Sequence, residues 1–310
     1  MQAHTVSSSE GGLLPRTTPE DQGRVERPAL APHLRFHEIG EGQTLLVSES
    51  FNTLLHGKLY ANLLALLDGE RTLDEVVAAL KGAHAATEVV SAIGSLATRG
   101  YVVSADHGMD PSRAAYWSTL GASPRWVERR LTECCVAVLG DDGRLVRHLE
   151  ALGARVAPAD PDLTVIVSDD YLGDALADVN RRHLERGSPW TPVRAQGMEP
   201  LFGPVFRADG AGPCWACLAY RLRSHQEVHS FLRNLAGEER AFKPFATDPV
   251  VLEALHGLIA AELLKWLVLD EAAPLHARDH DGRWYVRGFQ APGRAPAAVP
   301  SLWRRESVPA

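Results

Sequence analysis

Two apolar runs, each typical of a buried β-strand, constrain the fold of the second half of the chain more than any other feature. One run covers residues 134–139 (CCVAVL) and the other covers residues 163–167 (LTVIV). Amphipathic stretches at residues 145–152 and 171–186 follow these runs and predict helices. Because parallel strands need a crossover connection between them, this alternation predicts an α/β fold with a mostly parallel sheet and helices on its faces.

The first half of the chain has a different order of patterns, which predicts a small winged-helix domain. Thr72 and Glu75 have the spacing of a helix-capping box, and Thr87 with Glu88 indicates a second helix start. Gly57 follows the last of three short strands, and Gly100 follows the last helix. The predicted order is three strands, three helices and a strand, at residues 34–39, 44–48, 52–56, 59–67, 72–80, 87–98 and 101–103.

The chain of 310 residues is long enough for about two domains. Residues 1–32 are rich in Ser, Gly, Pro and Glu, so we expect a disordered tail there. The winged-helix domain then covers residues 33–105, a helical connector covers residues 106–131, and the α/β domain covers residues 132–310.

Composition and charge argue against several classes of protein. The net charge of −7 argues against nucleic acid as the main partner, because binding phosphates needs a clustered basic surface. The sequence has no apolar run long enough to span a membrane, and its N-terminus lacks the pattern of a secretory signal. Four cysteines make no disulfide framework, so we expect a cytoplasmic protein.

Cys214 and Cys217 form a CxxC pair, which is half of a typical zinc site. A structural zinc ion takes four ligands, and a redox role would need a setting like that of thioredoxin. The other candidate ligands are the adjacent cysteines Cys134 and Cys135 and the histidines His276 and His280. We favour cysteines that pack as small apolar residues without metal, and zinc held by the CxxC pair remains the alternative.

The turn of residues 140–143 (GDDG) lies between a strand and a helix, where a nucleotide-binding loop would lie. Asp141 and Asp142 would repel a polyphosphate, so an ordinary turn is the favoured interpretation. Asp169 and Asp170 follow the next strand, at the edge of the sheet where α/β proteins hold ligands. Acidic residues at this position also cap helices, so both interpretations stay open.

The third strand of the winged-helix domain is predicted to be an edge strand beside a helix with a small apolar face. An edge strand offers main-chain hydrogen bonds to a peptide, and an adjacent groove offers pockets for its side chains. DNA reading is disfavoured, because the helix itself carries no basic residue. The candidate peptide-binding residues are Phe51, Asn52, Thr53, Leu54 and Leu55 on the strand and Val89, Ala92, Ile93 and Leu96 on the helix.

With these residues in view, the chain resembles the Ocin-ThiF-like leader-peptide-binding proteins of thiazole/oxazole-modified microcin (TOMM) pathways. Residues 44–103, from TLLVSE to RGYVV, resemble the PqqD-like RiPP recognition element, a winged helix. Residues 136–269 resemble the ThiF superfamily of ubiquitin-activating enzymes, above all in GPCWACL (residues 212–218) and AAELLKW (residues 260–266). Together these two parts cover nearly all of the chain after residue 33.

The resemblance implies a degenerate ThiF-like, Rossmann-type domain, because the glycine-rich ATP loop and the second CxxC pair of active relatives are missing. It implies a non-catalytic subunit that binds a precursor's leader and presents it to a separate YcaO cyclodehydratase. That partner would bind ATP and make azoline or azole rings, and this chain would need no cofactor of its own. A homodimer is an open alternative, since ThiF-like relatives commonly pair.

Two other functions remain as alternatives. The first is an ATP-dependent, ThiF-like adenylating enzyme, with Asp169 or Asp170 holding magnesium. The second is a transcriptional regulator, which only the winged helix favours.

Overall fold

The structure is a computed structural model that describes residues 25–40, 42–49, 51–197, 200–207, 213–224 and 247–269. The chain divides into two compact units, residues 1–129 and residues 130–310.

Unit 1 contains two small antiparallel sheets and a group of helices. Strands β2, β3 and β4 form one sheet in that order, and β1 pairs with β5 in the other. The strands are β1 (Pro28–Leu30), β2 (Arg35–Gly40), β3 (Gln43–Val47), β4 (Asn52–His56) and β5 (Val102–Ser104). The helices are α1 (Lys58–Leu64), α2 (Leu73–Leu80), α3 (Ala86–Thr98) and α4 (Pro111–Thr119), and α5 (Pro124–Glu133) begins in this unit.

Ordered structure begins before residue 33, so the prediction of a disordered tail through residue 32 is wrong at its end. Strand β1 pairs with β5, and the backbone N–H of Ala31 donates to the carbonyl of Tyr101 at 2.9 Å. Ala31 is completely buried. The strand was missed because three residues after a polar, proline-containing segment give too short a pattern to recognise.

The predicted capping box opens α2 and is confirmed. The hydroxyl of Thr72 accepts from the Glu75 N–H at 3.3 Å, and the Glu75 carboxylate accepts from the Thr72 N–H at 2.8 Å. Helix α3 has half of this arrangement, since Glu88 accepts from the Ala85 N–H at 3.2 Å but alanine has no side-chain acceptor to return the bond. The helix therefore starts one residue before Thr87.

Unit 2 is built on a five-stranded sheet in the order β10-β9-β8-β6-β7. All its strand pairs are parallel except the β9–β10 pair, so the predicted mostly parallel sheet is confirmed. The strands are β6 (Cys135–Leu139), β7 (Arg155–Val156), β8 (Leu163–Val167), β9 (Trp190–Arg194) and β10 (Leu201–Phe202). The described helices beyond α5 are α6 (Arg144–Ala151), α7 (Asp174–Arg186), α8 (Trp215–Ser224) and α9 (Pro249–Leu269).

Within the described residues, none of the helices combines the length and the apolar character needed to cross a bilayer.

Candidate functional site

Strand β4 is an edge of its sheet, as predicted, and its hydrogen-bond pattern can be read from the two ends of the β3–β4 hairpin. At one end the Ser48 N–H donates to the Phe51 carbonyl at 2.9 Å. At the other end the Gly57 N–H donates to the Gly42 carbonyl at 2.7 Å. Residues opposite each other in an antiparallel pair alternate between hydrogen-bonded and non-bonded pairs. The bonded pairs between these two ends are therefore fixed.

This alternation assigns each backbone group of β4 to one side of the strand. Thr53 and Leu55, which lie opposite Leu46 and Thr44, direct their N–H and C=O groups towards β3. Asn52, Leu54 and His56 direct theirs away from β3, to the side on which no further described strand lies. Three residues with one donor and one acceptor each present six backbone groups to an added strand.

The side chains of β4 alternate between the two faces of the sheet. Leu55 is 5% exposed and packs into the core of unit 1, whereas Leu54 on the opposite face is 39% exposed. Thr53 lies on the inner face, and its hydroxyl is 3.3 Å from the hydroxyl of Tyr101. Phe51 stacks on the Tyr101 ring, with ring centroids 5.8 Å apart and the planes inclined by 27°.

The inner edge of β4 is therefore lined by Phe51, Thr53 and Tyr101. Tyr101, which lies just after α3, is not among the residues predicted from the sequence. No local pattern marks it, because its partners on β4 are distant in the sequence. The one available signal was an aromatic residue directly after the glycine that ends a helix.

The four residues predicted to form a pocket on α3 are buried in this structure. Val89, Ala92, Ile93 and Leu96 are between 0% and 7% exposed and belong to the hydrophobic core of unit 1. They are the inward face of an amphipathic helix, so they offer almost no surface to a peptide in this conformation. The exposed residues of α3 include Val90, the charged Glu88 and the small residues Ser91, Gly94, Ser95 and Thr98.

In unit 2, the turn between β6 and α6 is filled by a carboxylate of the chain itself. Asp141 Oδ2 accepts from the backbone N–H of Gly143 at 3.0 Å and from that of Val146 at 3.2 Å. The Asp141 side chain is 4% exposed. The N-terminus of a helix in this position is the usual place for a phosphate group in nucleotide-binding α/β folds. Here the Asp141 carboxylate accepts from the N–H groups that would otherwise be available to a phosphate.

The second Asp141 oxygen faces helix α9. Oδ1 lies 4.0 Å from Nε2 of His256, whose side chain is 5% exposed. His256 Nδ1 is 2.8 Å from the carbonyl of Leu252, so this nitrogen carries the proton and donates. Helix α9 therefore closes over the turn with a buried imidazole. On the same helix, Oε1 of Glu253 lies 3.1 Å from Nε2 of His148.

Asp170, the second of the two aspartates after β8, has a structural use. Asp170 Oδ1 accepts from the backbone N–H of Leu172 at 2.9 Å, and the Asp170 N–H donates to the Ser168 hydroxyl at 3.3 Å. These bonds stabilise the turn before α7. Among the described residues, no group of three or more His, Cys, Asp or Glu side chains could hold a metal ion.

Cys214 and Cys217 lie at the start of α8, with their sulfur atoms 3.8 Å apart. Burial raises the pKa of Cys214, but hydrogen bonds from the Cys217 N–H, the Cys217 thiol, the Ala216 N–H and the Asn180 amide outweigh it and hold that pKa below its ordinary value. Burial and the neighbouring Cys214 sulfur raise the pKa of Cys217.

A four-cysteine zinc site does not fit this chain. Cys134 and Cys135 are buried at the beginning of β6, and no described group brings them to the CxxC pair. The other predicted ligands, His276 and His280, lie outside the described residues.

Comparison with known proteins supports the two-part architecture. A family model described as a winged helix-turn-helix domain matches residues 29–104. A solved heterocyclase in complex with substrate and cofactor is 30% identical, with a TM-score of 0.67, over 78% of this chain and 33% of its own. The heterocyclase TruD is 29% identical, with a TM-score of 0.70, over 84% of this chain and 38% of its own.

The structure of E. coli MccB with ATP is 14% identical, with a TM-score of 0.55, over 87% of this chain and 98% of its own. At this identity the likeness shows the fold alone. No curated protein sequence matches the chain significantly. The chain spans 33% and 38% of the lengths of the two heterocyclases. The chain is thus an N-terminal winged-helix domain followed by an α/β domain with a mostly parallel sheet, and it is similar in fold to part of those heterocyclases and to MccB.

Proposed function

We propose that this chain binds the leader of a ribosomally synthesised precursor peptide and presents it to a YcaO-type cyclodehydratase, which makes azoline or azole rings. The two heterocyclases of similar sequence and fold support a role in this kind of peptide modification. One of them was solved with its substrate, which supports a peptide partner for this chain.

The observation that carries the proposal is the free edge of β4. Six backbone groups of Asn52, Leu54 and His56 point away from the sheet, and a peptide in the extended conformation could pair with them as an added strand. Each such hydrogen bond contributes about 0.5–1.5 kcal/mol net. A few bonds of this strength, less the cost of ordering a flexible leader, suit a reversible complex of moderate affinity.

Selectivity would come from the inner face of the added strand. Side chains of the leader would alternate between the two faces, in step with β4. Those on the inner face would lie beside Phe51, Thr53 and Tyr101, which form a half-buried apolar surface with two hydroxyl groups. Those on the outer face would lie beside Leu54. We therefore place the peptide site on β4 and Tyr101, and not on the buried face of α3.

The turn at Asp141 supports a recruiting role over the alternative of an adenylating enzyme. A bound nucleotide phosphate would compete with the Asp141 carboxylate for the N–H groups of Gly143 and Val146, and it would meet a negative charge. ATP is better assigned to the cyclodehydratase. Unit 2 would then act as the docking element for that enzyme.

The first experiment is a fluorescence-polarisation titration of a labelled leader, taken from the precursor encoded beside this gene, without ATP. Leu54→Pro removes an N–H that points away from β3, and proline is tolerated at an edge strand in that orientation. We expect leader affinity to fall about tenfold or more, because one bond is lost and the ring obstructs the added strand.

Leu54→Ala is the matched control, since it removes the side chain and keeps the N–H. Circular dichroism checks that both variants fold. Equal affinity of Leu54→Pro and Leu54→Ala for the leader would exclude strand addition at this edge.

The partner is tested by adding the cyclodehydratase and the precursor peptide. We expect ring formation, detected as loss of water by mass spectrometry, only when this chain and an intact leader are both present. ATP–pyrophosphate exchange by this chain alone would instead establish the adenylating enzyme.

A further inference from the structure

The two edges of the three-stranded sheet in unit 1 differ in their protection against pairing with another strand. Strand β2 has an irregular register between Glu38 and Gly40, and it carries the charged residues Arg35 and Glu38. Irregularities and charges of this kind keep edge strands from associating. Strand β4 (Asn52–His56) pairs with β3 in an unbroken register and contains no Pro, Lys, Arg, Asp or Glu. The β4 edge therefore lacks these protections.

The outward backbone groups of β4 are complementary to a second copy of the same strand. Those of Asn52, Leu54 and His56 recur at every second residue, so an antiparallel copy can place its own Leu54 opposite Leu54. Asn52 of each copy then lies opposite His56 of the other. Because the groups of all three residues point outward, each opposed pair exchanges two hydrogen bonds. The six resulting bonds satisfy every outward group of both strands.

The surroundings of β4 favour the same antiparallel orientation. Glu49 precedes the strand and Lys58 follows it, and both are exposed. An antiparallel pair brings the Glu49 end of each copy beside the Lys58 end of the other, whereas an in-register parallel pair would bring like charges together. On the outer face of the sheet, the two Leu54 side chains, each 39% exposed, would cover one another.

We propose that two copies of this chain pair through β4 and form one six-stranded antiparallel sheet around a two-fold axis at Leu54. The contact is a single strand of five residues from each copy, so the association is weak and reversible. A peptide that adds to β4 needs the same backbone groups and must displace the second copy. The pairing itself does not depend on leader binding, and only the competition with a leader rests on the proposed function.

The first test is sedimentation equilibrium of the whole protein under reducing conditions. We expect a monomer–dimer equilibrium with a dissociation constant of about 10 µM to 1 mM. Leu54→Pro should weaken this association about tenfold or more, because each copy loses an outward N–H and gains a ring that obstructs the pair. Leu54→Ala keeps the N–H and should weaken it less. A protein that stays monomeric up to about 1 mM would overturn the proposal. Equal association of Leu54→Pro and the unmodified chain would overturn it as well.

Hydrogen exchange followed by NMR tests the interface without any substitution. The N–H groups of Asn52, Leu54 and His56 should exchange more slowly as the protein concentration rises, because they become bonded in the dimer. Those of Thr53 and Leu55 already point towards β3 and should change little, so they are the matched control within the same strand. A dimer that leaves the three outward N–H groups unprotected would place the interface elsewhere.

A labelled leader tests the competition. Added to concentrated protein, it should return the dimer to monomers while it binds. A leader that binds the dimer without dissociating it would overturn the shared use of the β4 edge. A leader that binds at no protein concentration would contradict the proposed function alone, because sedimentation and hydrogen exchange measure the pairing without it.

Discussion

The hydroxyl groups of Thr53 and Tyr101 lie 3.3 Å apart, so the free edge strand of the winged-helix domain is tied to the residue that follows its longest helix. The stacked rings of Tyr101 and Phe51 reinforce this connection. The inner edge of β4, which lines the proposed peptide site, is thus formed by residues that are distant in the sequence. Its shape depends on both of these parts of the chain.

Tyr101→Phe should lower the free energy of unfolding of unit 1 by about 0.5–1.5 kcal/mol, because it removes one hydrogen bond and keeps the ring stack. Hydrogen exchange of unit 1 peptides under increasing urea measures the change. Tyr220→Phe is the matched control, since Tyr220 is 76% exposed and lies in unit 2. An equal loss in both variants would contradict a stabilising Thr53–Tyr101 bond.

Leu96→Ala should destabilise unit 1 by about 2–5 kcal/mol, the usual cost of truncating a fully buried leucine. Leu96 is 1% exposed, so any loss of leader binding in this variant should follow the loss of folded protein. Chemical denaturation and leader titration on the same samples check this. Ser95→Ala, at the neighbouring exposed position, should change stability by less than about 0.5 kcal/mol. A folded Leu96→Ala protein that no longer binds leader would restore α3 as the contact surface.

Asp141→Ala should destabilise unit 2 by about 0.5–2 kcal/mol, because two N–H groups at the start of α6 lose their acceptor. Asp142→Ala is the comparison, because the Asp142 side chain is 56% exposed and accepts from the backbone N–H of Arg144 at 3.2 Å, so we expect a smaller loss of stability. Equilibrium dialysis with labelled ATP is the second measurement. We expect the unmodified chain to bind no ATP. Tight ATP binding would disprove the interpretation that the Asp141 carboxylate occupies the phosphate position.

The stability of unit 1 should depend on pH through His33. Burial lowers the pKa of His33 below its ordinary value of 6.5. The unfolded chain therefore takes up this proton more readily than the folded one. Stability from this source is complete above about pH 6.5 and is lost as the pH falls towards and below the folded pKa. His33→Gln should lose less stability than the unmodified chain between about pH 8 and about pH 5. Parallel pH profiles in urea unfolding would contradict this role.

The sequence predicted the bounds of the strand and the helix at the site better than it predicted what each of them packs against. Strand β4 was placed at its observed bounds because its short run ends at Gly57, a residue in the left-handed region with φ of 128°. The apolar period of α3 identified the correct residues as one face of the helix. It could not show that this face packs into the core of unit 1, because the same pattern describes a buried face and an open groove.

The turn between β6 and α6 likewise shows that local sequence does not predict tertiary contacts. Two aspartates in residues 140–143 suggested that the turn disfavours phosphate, and the charge alone supports this. The hydrogen bonds of Asp141 depend on a turn geometry that Gly140 permits, with φ of 77° and a Cβ position that the Val167 carbonyl would obstruct. The proximity of His256 depends on the packing of α9, far along the chain. Neither could be read from local sequence.

The outward backbone groups of β4 recur at every second residue, and this spacing would set rules for any peptide that pairs there. A shift of such a peptide by one residue would turn its inward side chains to the solvent, whereas a shift by two would keep them inward. Different precursors that bind this chain should therefore keep an even number of positions between their anchoring residues. The distance from the anchoring residues to the modified positions should vary more.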